Sequence, residues 1–121
     1  MNAISIARLS KVHPLLADKV KQLAVILPKI EVVQGIRSFA EQDALFAQGR
    51  TAPGHIVTNA RGGQSNHNYG LAVDVCPFTN GIPQWDDDHA FAQIGAEAEK
   101  LGLDWGGRWA KIVDKPHLEV P

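Results

Sequence analysis

The sequence predicts a single α+β domain over residues 1–121, in which a small antiparallel sheet packs against helices. Three observations support this prediction. Apolar residues recur at helical spacing in three segments, and short strand-like segments lie between and after them. The 121 residues suffice for one domain and are too few for two, and no repeat or linker divides them.

The first predicted elements are a helix and a strand. Apolar residues recur at helical spacing from about residue 9 to residue 27, where Pro28 stops the pattern. Pro14 suits the first turn of a helix, because a missing N–H is tolerated there. Residues 31–36 are rich in β-branched side chains and are predicted to form a short strand.

A second helix is predicted to start at Ser38. Ser38 and Glu41 have the spacing of a capping box, in which each side chain accepts a hydrogen bond from the other residue's backbone N–H. Gly49 suits the left-handed cap at the end of this helix. Residues 50–63 then form a long loop rich in turn residues, with a candidate short strand at 56–58. The apolar residues of the helix are Phe39, Leu45 and Phe46.

The second half of the chain supplies the remaining elements. Residues 71–76 alternate as a strand does, with Asp74 as the polar interruption. Residues 86–102 are predicted to form a third helix, from an acidic start to a glycine cap. Residues 104–105 and 117–120 are predicted to form one or two short strands.

Composition and charge exclude several classes of protein. Hydrophobic residues at 45% and charged residues at 21% argue against disorder, and a net charge of -1 argues against a nucleic-acid or stable membrane partner. Cys76 is the only cysteine, which excludes an intrachain disulfide and a Cys-rich zinc module. The sequence shows neither a secretory signal nor a membrane-spanning stretch, so we expect synthesis in the cytoplasm.

Two histidines and one aspartate are candidate metal ligands. His67 lies in a polar turn just before the strand that carries Asp74, and Gly70 allows the chain to bend between them. His117 begins a second short strand. Two imidazoles and one carboxylate make a three-ligand set that leaves a fourth position open, as in catalytic zinc sites. Other divalent metals remain possible, and so do surface or hydrogen-bonded core histidines.

Asp114 is the candidate proton carrier. It precedes His117 by three residues, and Pro116 favours an extended conformation for the residue before it. A carboxylate held beside the metal can take a proton from a water molecule and later give it to a leaving amine. Glu119 lies two residues beyond His117, on the same strand face, and is the alternative base.

These residues stand in recognisable motifs. S-N-H-N-Y-G-L-A-V-D-V (65–75) and D-K-P-H-L-E-V (114–120) resemble the SxHxxGxAxD and DxxH pattern of the D-Ala-D-Ala carboxypeptidase/dipeptidase superfamily of zinc peptidases. The segment G-I-R-S-F-A-E-Q-D-A-L-F-A-Q-G-R-T-A-P-G (35–54) is similar to the phage endolysin branch, the L-alanoyl-D-glutamate peptidases. The resemblance covers residues 31–120 and implies a fold like that of the Hedgehog and D-Ala-D-Ala peptidase proteins, with zinc at the sheet.

The resemblance also implies roles for individual residues. It implies that His67, Asp74 and His117 bind Zn²⁺ and that Asp114 is the catalytic base and acid. The carboxypeptidase and dipeptidase branches more typically have Glu at this place, so Asp114 favours the endolysin branch. Arg37 matches the family arginine near the metal, which binds substrate or stabilises an oxyanion.

Four further residues have two possible roles each. Ser65 matches the serine of the motif and either binds substrate or shapes the turn. Trp105 and Trp109 resemble the aromatic stretch before DxxH and either wall the substrate cleft or pack in the core. Gln42 either supports Arg37 or lies on a solvated helix face.

The expected function is that of a zinc-dependent peptidoglycan endopeptidase, an endolysin that hydrolyses the L-Ala–D-Glu bond of the stem peptide. We expect a monomer without a cell-wall-binding domain, which acts on the wall after release from the cytoplasm. The endolysin resemblance implies a partner that permeabilises the membrane. Two alternatives remain: a D-Ala-D-Ala carboxypeptidase or dipeptidase on the same scaffold, and a non-catalytic zinc-containing peptide-binding module.

Overall fold

The computed structural model of the chain describes residues 1–121 and confirms the α+β class. Four strands follow each other across the sheet in the order β1-β2-β5-β4, β3 pairs with β2 outside this path, and every pairing is antiparallel. No helix combines the length and the apolar character that crossing a bilayer requires. The helices are α1 (Ala3–Leu9), α2 (Pro14–Ile26), α3 (Phe39–Ala47) and α4 (Asp88–Lys100). The strands are β1 (Ile30–Gln34), β2 (Ala72–Thr79), β3 (Ile82–Pro83), β4 (Asp104–Trp105) and β5 (His117–Glu119).

The N-terminal segment forms two helices, whereas the sequence predicted one over residues 9–27. α2 begins at Pro14, and Nδ1 of His13 accepts a hydrogen bond from the backbone N–H of Leu15. The break lies between Leu9 and Pro14 because proline starts a helix readily and interrupts one that precedes it. The unpredicted helix α1 packs on β1, where Oγ of Ser5 accepts a hydrogen bond from the backbone N–H of Val32 at 2.9 Å.

Most of the other predicted elements are confirmed, with shifted ends. Ser38 and Glu41 form the predicted capping box, whereas the candidate strand at 56–58 is absent. β2 is longer than predicted because it continues into a hairpin with β3. The turn of that hairpin is Asn80–Gly81, with φ of 52° and 75°, the Asn-Gly pair typical of tight hairpins.

The apolar core lies between β2 and the helices α2 and α4. Val73 and Val75 of β2 are completely buried, as are Leu16 of α2 and Phe91 of α4 to within 1%. Burying such side chains contributes about 1.5–3 kcal/mol each. Because successive side chains alternate along a strand, Asp74 lies on the face opposite Val73 and Val75. The core thereby holds β2 rigidly beneath the candidate site.

Candidate metal centre and active site

Asp74 and His117 face each other across two neighbouring strands. β2 and β5 are antiparallel, and Asp74 pairs directly with His117. Directly opposed residues in such a pair have Cβ atoms about 5 Å apart on the same face of the sheet. Nδ1 of His117 accordingly lies 3.5 Å from Oδ1 of Asp74.

His67 reaches the same point from a short 3-10 helix, Asn66–Tyr69. Gly70 ends this helix in the left-handed conformation, with φ of 68°, and turns the chain into β2. Nε2 of His67 then lies 3.3 Å from Oδ1 of Asp74. One possible ligand atom from each of His67, Asp74 and His117 lies within 4.8 Å of the others, so the structure brings the three predicted ligands together.

The outer hydrogen bonds of the two imidazoles determine which nitrogen faces Asp74. Nδ1 of His67 lies 2.9 Å from the carbonyl oxygen of Gly35, and because a carbonyl only accepts, Nδ1 carries the proton. Nε2 of His117 lies 2.6 Å from Oε1 of Glu119. In the neutral form, each ring therefore points an unprotonated, metal-ligating nitrogen toward the carboxylate of Asp74.

Oδ1 of Asp74 is the atom that most directly indicates a cation site. It is buried and accepts no hydrogen bond. Burial acts to raise the pKa of Asp74, but the attraction of His117 and His67 outweighs it and holds the pKa well below its usual range. A buried anionic oxygen without a partner is unfavourable, and a divalent cation among the three residues would satisfy it. The residues present therefore fit a metal ion.

Asp114 lies beside this cluster on the segment that leads into β5. Its Oδ2 is 3.8 Å from Nδ1 of His117, and its side chain is 38% exposed. Gly106 permits this position, because a β-carbon there would lie 2.4 Å from the backbone oxygen of Asp114. Burial raises the pKa of Asp114, and the negative charge of Asp74 adds to the effect. A carboxyl group with a raised pKa and access to solvent can take up and return a proton.

Arg37 lies next to Asp74 and is held by Gln42. Nη2 of Arg37 is 3.5 Å from Oδ2 of Asp74, and Nη1 donates a hydrogen bond to Oε1 of Gln42 at 2.8 Å. Gln42 is completely buried and also donates from Nε2 to the backbone oxygen of Ala60 at 2.8 Å. This confirms that Gln42 supports Arg37, and the alternative of a solvated helix face is wrong.

Glu119 acts on His117 from the side away from Asp74. Oε1 of Glu119 contacts Nε2 of His117, and Oε2 accepts a hydrogen bond from Nδ2 of Asn66 at 2.7 Å. The hydrogen bond with His117 is the main cause that lowers the pKa of Glu119. The spacing along β5 suggested Glu119 as an alternative base, whereas the structure gives its carboxylate the position of a group that orients His117.

An open cleft of about 1070 Å³ passes over the cluster. Residues 56–60 and 109–113 line it, together with Ser65 and Asp114. Oγ of Ser65 accepts a hydrogen bond from the backbone N–H of His67 at 3.2 Å. Ser65 therefore shapes the turn while remaining at the surface of the cleft, so both of its predicted roles are compatible with its position.

The two tryptophans differ in position. The ring of Trp109 lies 4.8 Å from that of His117, and Trp109 lines the cleft. Trp105 packs against the apolar core beside Gly95 of α4, and its Nε1 donates to the backbone oxygen of Lys115 at 2.7 Å. The prediction that Trp105 walls the cleft is wrong, because β4 directs its ring toward α4. Its alternative role in the core is confirmed.

Several supporting residues were not singled out from the sequence. Nδ2 of Asn68 donates to the backbone oxygen of Arg37 at 3.0 Å, which ties the turn of His67 to the segment of Arg37. Asn66 and Asn68 lie within the histidine motif, but nothing local to them indicates their distant partners. Gln42 differs from them, because its position in the segment around Arg37 was enough to suggest from the sequence that it supports Arg37.

Comparison with known proteins gives matches along most of the chain. The family model described as D-alanyl-D-alanine carboxypeptidase matches residues 58–120. The peptidoglycan L-alanyl-D-glutamate endopeptidase CwlK of Bacillus subtilis (strain 168) is 42% identical over 124 residues, covering 92% of this chain and 74% of CwlK.

Solved structures resemble the whole fold. The L-Ala D-Glu endopeptidase ChiX of Serratia marcescens matches with a TM-score of 0.75 and 25% identity, over 100% of this chain and 89% of ChiX. A variant of the vancomycin resistance D,D-pentapeptidase VanY, solved in complex with Zn(II), matches with a TM-score of 0.63 and 14% identity, over 90% of this chain and 72% of VanY. At 14% identity, the match with VanY shows a similar fold and nothing more.

Proposed function

The chain belongs to the D-alanyl-D-alanine carboxypeptidase family of peptidases, and from this membership we propose that it is a zinc-dependent endopeptidase that hydrolyses the L-Ala–D-Glu bond of the peptidoglycan stem peptide. CwlK and ChiX carry this activity in their names. The observation that carries the proposal is the convergence of His67, Asp74 and His117 beside Asp114 in an open cleft.

Zinc is the metal that we propose for the cluster. Two imidazole nitrogens and one carboxylate oxygen are borderline-to-hard ligands that suit Zn²⁺, and three protein ligands are typical of its catalytic sites. The Zn(II) complex of VanY supports the choice by fold analogy. Zinc, when bound, supplies a Lewis acid that polarises a carbonyl group and lowers the pKa of water.

Asp114 and Arg37 carry the proposed chemistry of the chain itself. Asp114 accepts the proton of the attacking water, which its contact with solvent and its place beside His117 allow. Arg37, held by Gln42, donates hydrogen bonds to the carbonyl oxygen as negative charge develops there. Asp114 then returns the proton to the nitrogen of D-Glu as the C–N bond breaks. D-Glu leaves as a neutral amine, and the carbonyl carbon of L-Ala keeps the oxygen of the water as a carboxyl group.

Digestion of defined muropeptides tests this function. The zinc-loaded protein is incubated with disaccharide-linked stem peptides, and the products are identified by mass spectrometry. An endopeptidase of the proposed specificity frees a new N-terminus on D-Glu. Release of D-Ala would assign the carboxypeptidase or dipeptidase activity, and zinc binding without any product would assign the non-catalytic alternative.

The endolysin role, with action on the wall after release from the cytoplasm, is a second part of the proposal. The motif around Arg37 and the aspartate at position 114 support it, because both resemble the phage branch of the family. Expression in bacteria tests it. We expect lysis only when a second protein permeabilises the inner membrane, and lysis by the enzyme alone would contradict the need for such a partner.

A further inference from the structure

A second depression opens next to the catalytic cleft. It measures about 650 Å³, and Asp114 and Val113 line both the depression and the cleft. Any group bound in it therefore lies immediately beside the proposed proton carrier. Its other lining residues come from the loop before α4, from the start of α4 and from the segment before β5: Trp85, Asp88, Phe91, Lys115 and Pro116.

Trp85 provides an exposed aromatic surface in this depression. It is 51% exposed, and its ring stacks on buried Phe91 with an interplanar angle of 19° and a centroid distance of 6.4 Å. The loop that carries Trp85 is fixed to β2, because the backbone N–H of Gln84 donates a hydrogen bond to the backbone oxygen of Pro77 at 2.8 Å. The ring is thus held in place before any ligand binds, which lowers the entropic cost of binding.

The residues that line the depression carry more negative than positive charge. Asp88 and Asp114 line it, and its only cation, Lys115, is paired with Asp88 at 2.8 Å. The cleft differs, because its carboxylates, Asp114 and Glu119, are matched by two cations, Arg37 and Lys111. Of these cations, Lys111 makes no ion pair and is available to a ligand. A ligand group that carries free carboxylates is therefore favoured in the cleft and disfavoured in the depression.

The proposed substrate has one neutral and one acidic side. On the L-Ala side, the peptide is joined through an amide to a lactyl group on an amino sugar. On the D-Glu side, it carries free carboxylates. Only one residue, which spans at most about 3.6 Å, and the short lactyl group separate the sugar from the reacting carbonyl. The sugar therefore lies near this carbonyl and hence near Asp114.

On the basis of the proposed function, we propose that the depression of Trp85 binds the amino-sugar ring that bears the stem peptide. The apolar face of the sugar packs on the exposed indole, and its hydroxyl and amide groups bond with the carboxylates at the rim. The acidic part of the peptide then lies in the cleft. The depression and the cleft together thereby set the direction in which the substrate binds across the metal centre.

Two substrates with the same scissile bond test the proposal. One is the free tetrapeptide that begins with L-Ala, and the other is the same peptide on its disaccharide. For the zinc-loaded enzyme, we expect kcat/KM to be about tenfold higher with the disaccharide, as one stacking contact provides. Trp85→Ala should bring this ratio close to one, Trp85→Phe should retain most of it, and Ile82→Ala in the neighbouring hairpin should leave it unchanged.

The possible outcomes separate this proposal from the function on which it rests. Equal kcat/KM for the two substrates with the wild-type enzyme, or an unchanged ratio in Trp85→Ala, overturns the sugar subsite while the peptidase activity stands. Cleavage of neither substrate overturns the proposed function itself.

A titration of the wild-type protein with the peptide-free disaccharide, followed by NMR, avoids any folding defect of the variants. The indole N–H signal of Trp85 should shift and that of Trp105 should not, and a stationary Trp85 signal also overturns the subsite.

Discussion

Oε1 of Glu119 lies 2.6 Å from Nε2 of His117, and the opposite nitrogen of the same ring lies 3.5 Å from Oδ1 of Asp74. Asn66 holds the other oxygen of Glu119 at 2.7 Å. A carboxylate in this position fixes both the orientation and the tautomer of a metal-binding imidazole. The contacts from Asn66 to Glu119 and from Glu119 to His117 therefore orient the imidazole so that its Nδ1 faces Asp74, where the metal would bind.

Loss of the Glu119 carboxylate should weaken metal binding more than it impairs turnover. We expect Glu119→Ala to lower zinc affinity about 10- to 100-fold. Glu119→Gln keeps an oxygen acceptor for His117 and should lose less. Competition with a chelator measures the affinity, and kcat is compared at saturating zinc. Normal zinc affinity with abolished turnover in Glu119→Gln would restore Glu119 as the candidate base.

Removal of the charge on Asp114 should stop the reaction without releasing the metal. Asp114→Asn keeps the size of the side chain but cannot accept the proton, so kcat should fall by about 10²- to 10⁴-fold. Zinc content, measured by atomic spectroscopy, should stay at one ion per chain. Asp104→Asn, at an exposed position on β4, is the matched control. Full activity in Asp114→Asn would assign the base elsewhere.

His67→Ala should abolish stabilisation by zinc. A ligand at about 100 times its Kd stabilises a fold by about 2.7 kcal/mol, so the Tm of the wild-type protein should rise when zinc is added. His67→Ala removes one of three ligands and should show no such rise, whereas His89→Ala, at an exposed position, should behave as wild type. An equal zinc-induced rise in His67→Ala would exclude His67 as a ligand.

Gln42 should contribute to stability and to activity together. Gln42→Leu removes the hydrogen-bond partner of the part-buried Arg37 nitrogen Nη1 and of the backbone oxygen of Ala60. This loss should lower the free energy of unfolding by about 1–3 kcal/mol in urea titrations. We also expect a lower kcat/KM, because Arg37 loses its support. Gln42→Glu keeps the oxygen that faces Arg37 and should retain more activity than Gln42→Leu. Equal activity in the two variants would argue that Gln42 does not position Arg37.

The metal-free protein should lose stability at alkaline pH. Burial acts to lower the pKa of His117, but the neighbouring carboxylates of Asp74 and Glu119 outweigh it and raise the pKa from 6.5 to about 9. The folded state holds this proton more tightly than the unfolded chain. The resulting stabilisation is therefore fully present below pH 6.5 and is lost as the pH rises through 9.

Urea unfolding in a chelator, compared at about pH 6 and about pH 10, measures this loss. Excess zinc should remove it, because metal binding requires the unprotonated imidazole. A free energy of unfolding that stays constant across this window in the metal-free protein would contradict the predicted protonation of His117.

Local patterns predicted many of the elements but not all of their limits. The capping box at Ser38 and the helix that follows Asp87 depend on contacts within one turn, so they are visible in the sequence. The break before Pro14 was misjudged because apolar periodicity continues across it. The Asn-Gly pair at residues 80–81 is itself a local sign of a hairpin turn, but the predicted strand ended at residue 76, before this turn.

The sequence by itself determined which residue types were available for the site and the order in which they appear. His67, Asp74, Asp114 and His117 stand at motif spacing, and this was enough to predict a metal centre and its proton carrier. Only the tertiary structure decided which other residues form the hydrogen bonds that orient these side chains. Asn66 and Glu119 are separated by 53 residues, and a hydrogen bond over such a distance leaves no periodic trace in the chain. The packing of the strands and helices brings such groups together, and the same packing directs Trp105 into the core and Trp109 into the cleft.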